Sequence, residues 1–135
     1  EEGLRAGLEQ QVRQNKLEKT VFLPGYREDI EMFLSGFDIY ALSSHLEGLC
    51  TSLIDAMLFQ LPIVATRTGG VPDLILDGKT GLLVPPKSPE ALAGEIIKLL
   101  QNPALGSQLG NAAKKHALEN FTAESLVRKT METYS

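Results

Sequence analysis

Two carboxylates eight positions apart, Glu47 and Asp55, bracket the stretch Glu47-Gly48-Leu49-Cys50-Thr51-Ser52-Leu53-Ile54-Asp55-Ala56-Met57. A glycine turn follows the first carboxylate, and a predicted helix carries the second. The first turn of a helix leaves backbone N–H groups without partners, and its dipole favours an anion there. A carboxylate on each side of such a place grips hydroxyls rather than phosphate, because an ionised carboxylate only accepts hydrogen bonds. A diphosphate flanked by polyols, as in a nucleotide sugar, meets both demands.

The elements that must hold these groups alternate along the chain. Residues 3–16 predict a helix, with Leu4, Leu8 and Val12 at i, i+4 and i+8. The run Val21-Phe22-Leu23, stopped by Pro24-Gly25, is a first strand candidate, and Ile30, Phe33 and Leu34 give a short helix ended by Gly36. Ile39-Tyr40-Ala41-Leu42 is a second strand candidate. A helix over 51–59 leads through Leu61-Pro62 to a third, Ile63-Val64-Ala65-Thr66. The Gly69-Gly70 turn and a short helical piece near 71–76 precede a fourth, Leu82-Leu83-Val84. Continuous apolar runs, rather than alternation, suit a parallel sheet covered on both faces by helices. From Ser88 the chain reads as helical: Ser88 caps, Pro89 takes the first helical position, and Ala91, Leu92, Ile96, Leu99 and Leu100 form one apolar stripe. Asn102-Pro103 breaks that helix, a second runs to about Asn120, and Thr122 caps a last one toward Tyr134. The fold class is therefore α/β, a doubly wound parallel sheet followed by C-terminal helices. A sheet of about four strands is small, and it is expected to lack its first strand or two.

Composition narrows the function. A chain of 135 residues is read as a single domain, residues 1–135. A formal net charge of -4 argues against a nucleic-acid surface, yet leaves room for one small anion at a helix N-terminus. No apolar run approaches the roughly 20 residues of a membrane span, and the first residues lack the basic and apolar regions of a signal peptide. The lone Cys50 cannot form an internal disulfide, so a reducing cytoplasm is the expected compartment.

Six segments, in order, resemble one known family. Glu2-Gly3-Leu4-Arg5 resembles the tail of a G-[DE]-G-P-x-R loop, and Val21-Phe22-Leu23-Pro24-Gly25-Tyr26 is similar to a V-x-F-x-G turn. Ser44-His45-Leu46-Glu47-Gly48 resembles S-x-x-E-G. Asp55-Ala56-Met57 through Pro62-Ile63-Val64-Ala65-Thr66 resembles E-A-M-x-x-G-x-P-V-V-A-T. Gly69-Gly70-Val71-Pro72-Asp73 and Asp77-Gly78-Lys79-Thr80-Gly81-Leu82-Leu83-Val84 match G-G-x-P-E and D-G-x-T-G-x-L-V. Single pieces are unspecific; six in order are highly specific. The whole chain resembles the C-terminal, donor-binding part of retaining glycosyltransferases of the two-domain GT-B type with the E-x7-E motif (family 4, glycosyl transferases group 1).

That resemblance implies a Rossmann-like half of a GT-B fold and a role for each matching residue. Glu47 would be the catalytic carboxylate, accepting hydrogen bonds from donor-sugar hydroxyls. The backbone of Gly48, Leu49 and Cys50 would line sugar and phosphate, where a Cβ at position 48 would crowd the approach. Thr51 and Ser52 would face the diphosphate with N–H and hydroxyl donors, and Asp55 would take the ribose diol. Gly25, Tyr26 and Arg27 would contact the base. Gly69 and Gly70 would let the backbone approach the donor's far side. The donor implied is a UDP- or GDP-sugar, transferred with retention and without a metal or other cofactor. Peripheral membrane contact of the parent enzyme is left open.

The chain also departs from the pattern. Asp55 stands for the second motif glutamate and is one methylene shorter, so the ribose contact is expected to be longer or water-mediated. Gln60 stands where glycine is usual, which removes the easiest left-handed helix cap. No G-R-x-x-x-K-G segment precedes the motif, and no acceptor domain is present. The resemblance thus implies part of a larger enzyme, inactive by itself and completed by an N-terminal acceptor domain.

Plainer readings stand beside these. Glu47 and Asp55 could be solvated carboxylates on spacing alone, and the ordered motifs outweigh that. His45 sits at a spacer position and reads as a loop residue, and His116 as a solvated helix residue. Cys50 reads as a small buried thiol rather than a nucleophile, since no base is near in sequence. Arg67 is beside the Gly-Gly loop and could reach a phosphate or simply be exposed. Glu28, Asp29 and Glu31 charge the first turn of a short helix rather than bind metal. Other function classes remain: a non-catalytic nucleotide-sugar sensor, an epimerase of the same fold, or a signalling receiver, which would need an aspartate cluster not evident here.

Overall fold

The apolar run Ile63-Val64-Ala65-Thr66 forms the middle strand of a parallel sheet, as expected of residues that must be buried on both faces. The computed structural model describes residues 2–48 and 50–122. It divides into two compact units, Glu1–Ile30 and Glu31–Ser135.

The first unit holds helix α1, Glu2–Gln14. Arg5 and Arg13 each pair with Glu9 at helical spacing, which adds a few tenths of a kcal/mol per pair on an exposed face. The helix is closed by bonds from Lys16 N to Arg13 O and from Leu17 N to Val12 O, with Lys16 at φ 55°. Its expected apolar stripe is present but open: Leu4 is 78% exposed and Leu8 51%. Val21-Phe22-Leu23 forms no strand. A three-residue apolar run becomes a strand only through a ladder partner, and here Phe22 is exposed while the Leu23 carbonyl accepts from Arg5 Nη2 at 2.9 Å.

In the second unit the elements follow as α2 (Ile30–Ser35, whose first residue belongs to the other unit), β1 (Tyr40–Leu42), α3 (Thr51–Leu58), β2 (Ile63–Thr66), α4 (Val71–Leu74), β3 (Leu82–Val84), α5 (Pro89–Gln101) and α6 (Pro103–Asn120). Among the described residues the sheet has three strands, not the four expected, in the order β1-β2-β3 and all parallel. Tyr40 lies opposite Ile63 and Leu42 opposite Ala65; Val64 lies opposite Leu82. Side chains alternate across the sheet, so β2 feeds two cores. Ile63 and Ala65 pack with Leu53, Ala56 and Met57 of α3 and with Val71 and Leu74 of α4. Val64 packs with Leu82, Val84, Leu99 and Leu109 on the other face.

Several local expectations change. Ser88 precedes α5 without a side-chain cap, whereas Asn102, expected only to break the helix, caps α6 by accepting from Leu105 N at 3.1 Å. In the α5 stripe Leu99 is buried, but Leu100 is 61% exposed, one position off the inward face. Gln60 adopts the left-handed turn that glycine would favour, at φ 63°, and its amide donates to Asn111 Oδ1. Gly110 makes the packing there feasible: a Cβ would meet Gln60 O at 2.2 Å. His116 is half-buried, not solvated; its ring meets Phe121 edge-on at 5.3 Å and its Nδ1 lies 3.1 Å from Asn120 Nδ2. The helix expected toward Tyr134 lies outside the described residues.

Candidate functional site

Parallel pairing brings the C-terminal ends of β1 and β2 to the same edge of the sheet, where open α/β sheets bind ligands. The loop after β1 carries Glu47, and the turn after β2 carries Gly69 and Gly70. Continued past Leu42–Ala65, the register sets residue 43 beside Thr66, with Ser44 next along the loop. The Thr66 hydroxyl donates to the Ser44 carbonyl at 2.6 Å, and the Thr68 hydroxyl donates to the His45 carbonyl at 2.9 Å. Gly70 N donates to Glu47 O at 3.3 Å. The Ser44 hydroxyl in turn donates to Glu47 Oε2 at 2.7 Å, which fixes the carboxylate in a half-buried position.

The glycines explain how two loops come this close. Gly69 has φ 50°, and a Cβ there would lie 1.6 Å from Glu47 O; a Cβ on Gly70 would lie 2.7 Å from Gly48 O. Both glycines therefore serve an approach to the Glu47–Gly48 backbone itself. Gly48 differs: among the described residues nothing lies within 4 Å of where its Cβ would be. The fold does not require glycine at that position.

Helix α3 begins directly after this loop. Cys50 is its N-cap residue, extended at φ -86° and ψ 91°, and supplies no side-chain cap. Its carbonyl accepts from Leu53 N at 3.1 Å. A turn without a side-chain cap leaves N–H donors to an outside acceptor, with the positive end of the dipole behind them. Thr51 is exposed at the first helical position. The Ser52 hydroxyl, expected to face a ligand, is turned inward, 2.8 Å from Tyr40 Oη and 3.3 Å from Cys50 Sγ. Ser52 can thus offer an outside anion its backbone N–H, not its hydroxyl. Cys50 is a buried free thiol, as its position suggested. Asp55 is exposed one turn along α3 from Thr51.

Tyr40 lies against the start of α3, its hydroxyl 2.8 Å from Ser52 Oγ. Burial pushes its phenol pKa above the ordinary 10; the Ser52 hydrogen bond opposes this, while Cys50, Glu47 and Asp55 add to the rise through their charge.

Gly25, Tyr26 and Arg27 belong to the first unit. Tyr26 is 89% exposed, and Gly25 sits at φ 74° in the turn whose Leu23 carbonyl Arg5 holds. The Arg27 guanidinium forms a two-pronged pair with Asp29, at 2.8 and 2.7 Å, which raises the arginine pKa and lowers that of the carboxyl. Leu49 lies outside the described residues. Arg67 is paired with Asp77, whose other oxygen accepts from Leu83 N, so a structural tie accounts for it. Among the described residues no three His, Cys, Asp or Glu side chains gather as a metal set, and no helix is long and apolar enough to cross a membrane.

Sequence reasoning passed over Ser44, Thr66 and Thr68 as site residues. Hydroxyls at the C-terminal end of a buried strand were the available signal, since such positions border the ligand edge. A cavity of about 470 Å³ lies at the opposite, N-terminal ends of the strands, lined by Phe37, Asp38, Ile39, Gln60, Leu61, Pro62, Leu99, Leu100, Pro103, Gly106 and Ser107. It gathers no carboxylate pair beside a helix N-terminus.

Residues 1–116 match the family described as glycosyl transferases group 1. The chain is 30% identical over 125 residues to the poly(ribitol-phosphate) alpha-N-acetylglucosaminyltransferase of Staphylococcus aureus, covering 92% of this chain and 25% of that protein. It is 29% identical to the N-acetyl-alpha-D-glucosaminyl L-malate synthase of Bacillus anthracis, covering 93% of this chain and 33% of the relative. The chain thus spans a quarter to a third of the length of these curated relatives. Among solved structures, Anabaena HepE in complex with UDP-glucose superposes with a TM-score of 0.90 at 27% identity, over 99% of this chain and 37% of that one. The sucrose-phosphate synthase of Thermosynechococcus elongatus superposes with a TM-score of 0.86 at 27% identity, over 98% and 34%.

Proposed function

The chain belongs to the glycosyl transferases group 1 family, and from that premise we propose that it is the donor-binding part of an enzyme that transfers a sugar from a nucleotide diphosphate sugar to an acceptor, with retention of configuration. The observation that carries this reading is the Glu47 loop, which leads into the N-terminus of α3 and is pinned to the C-terminal end of β2 by Thr66, Thr68 and Gly70, with Ser44 holding the carboxylate. The solved Anabaena complexes with UDP and UDP-glucose support a donor of that class.

In this reading Glu47 accepts hydrogen bonds from the donor-sugar hydroxyls. The N–H groups of Thr51 and Ser52 receive the diphosphate, and Asp55 takes the ribose diol. Gly48, Leu49 and Cys50 give backbone close to sugar and phosphate, and Gly25, Tyr26 and Arg27 meet the base. As the glycosidic bond breaks, negative charge grows on the leaving diphosphate, and an oriented helix terminus stabilises it without reorganising. The acceptor attacks on the face that the diphosphate leaves, so the configuration is retained. Positioning of the donor supplies most of the remaining rate. No covalent enzyme nucleophile and no metal ion enters the scheme. A donor and an acceptor domain together would make the working enzyme, in the cytoplasm where nucleotide sugars are made.

Replacing Glu47 by Ala in the whole enzyme tests the assignment. Turnover with the nucleotide-sugar donor should fall by about 100-fold or more, the usual cost of losing a group that acts in the transition state. Near-normal turnover would remove Glu47 from the mechanism.

A further inference from the structure

We propose that Thr66 and Thr68 are positioning residues whose hydroxyls aim the Glu47 carboxylate at the donor sugar, an inference that rests on the donor-binding reading above. Both hydroxyls come from one short stretch, two residues apart, at the C-terminal end of β2. They grip successive carbonyls of the neighbouring loop, Ser44 at 2.6 Å and His45 at 2.9 Å. Ser44 is the residue whose own hydroxyl holds Glu47 Oε2 at 2.7 Å. The chain of contact therefore runs from the rigid, fully buried middle strand, through Ser44, to one oxygen of the carboxylate. Among the described residues the other oxygen, Oε1, accepts no hydrogen bond, and it is left for a hydroxyl of the ligand.

A role in folding alone does not account for this pair. Thr66 is 4% exposed in a strand of Ile, Val and Ala, where valine has the same shape and packs as well. What threonine adds is a donor directed across to the Ser44 carbonyl. Thr68 lies beyond the strand, so its hydroxyl serves no sheet ladder. A loop outside regular structure gains its geometry from such side-chain bonds, and a site functions only while its supporting contacts hold it within a fraction of an ångström.

The consequence is specific. Loosening the loop should cost the contribution of the sugar and spare that of the nucleotide, because the α3 terminus is held separately by its own packing against β2. The test measures affinities for UDP and for UDP-glucose by calorimetry on the whole protein, in the parent, in Glu47→Ala, in Thr66→Val with Thr68→Val, and in Thr66→Ser with Thr68→Ser. The gain of UDP-glucose over UDP should be present in the parent and lost in Glu47→Ala. It should fall by about tenfold, or to nothing, in the double valine variant, with UDP affinity within about twofold of the parent, and return in the double serine variant. Should the double valine variant not fold, Thr68→Val alone, at a half-buried site, carries the same expectation. A gain lost in Glu47→Ala but kept in the valine variants overturns the inference alone. A gain kept in Glu47→Ala, or missing from the parent, overturns the donor reading and this inference together.

Discussion

Replacing Gly69 by Ala should separate the loop that holds Glu47 from the strand end that supports it. The added Cβ would lie 1.6 Å from Glu47 O and 2.7 Å from Glu47 C, both backbone atoms that no side-chain rotation can move aside. Ordinary contact begins near 3.4 Å, so the two segments must part by about 1.8 Å. Alanine must also hold the left-handed φ of 50°, at a cost of about 1–2 kcal/mol, and the Gly70–Glu47 bond is worth roughly 1 kcal/mol more. A loss of about 2–3 kcal/mol lowers the melting temperature by roughly 5–15 °C in a chain of this size. Function should suffer more than stability, because a shift of about 1 Å in a positioned group can cost on the order of 100-fold in rate. Thermal unfolding and donor turnover, measured together, read both effects. Gly48→Ala is the control: its Cβ meets nothing, so the melting temperature should hold or rise slightly while donor affinity falls. A Gly69→Ala protein with parental melting and turnover would refute the reasoning about close approach.

Gly110→Ala drives a Cβ to within 2.2 Å of Gln60 O, where α6 passes over the end of α3; urea unfolding should show a loss of about 2–3 kcal/mol, and an unchanged midpoint would contradict that packing. Arg27→Gln releases Asp29, whose carboxyl Arg27 holds below its usual value by a hydrogen bond and by charge. In the parent this pair is formed above the ordinary carboxylate pKa and is lost as pH falls through the depressed one. A carbon-detected NMR titration should therefore find Asp29 titrating higher in the variant, and identical curves would remove the pair from solution.

Much of the architecture was legible because burial leaves a direct mark on sequence. Ile63-Val64-Ala65-Thr66 is apolar on both faces and became the two-faced middle strand; Leu82-Leu83-Val84 became β3. Val21-Phe22-Leu23 looked alike and is no strand, since a strand is made by its partner and three residues do not encode one. Gln60 shows the reverse: nothing local asks glutamine to turn left-handed, and the close pass of Gly110 with the Asn111 contact holds it there. At the site, spacing and motif order marked Glu47, Asp55 and the α3 terminus. The inward turn of the Ser52 hydroxyl to Tyr40 and the grip of Thr66 and Thr68 were not legible, because they depend on the register between β1 and β2, which no segment carries alone. Gly69 and Gly70 were marked as places of close approach, and the neighbour they admit is the protein's own Glu47–Gly48 backbone.

The central claim is that a nucleotide sugar binds where the Glu47 loop meets α3. Backbone NMR shifts recorded while UDP-glucose is added test it most directly. The account predicts that the largest changes fall on the amides of Gly48, Cys50, Thr51, Ser52 and Asp55. Changes confined instead to Ile39, Gln60, Leu61 and Gly106, around the cavity at the other end of the strands, would contradict it.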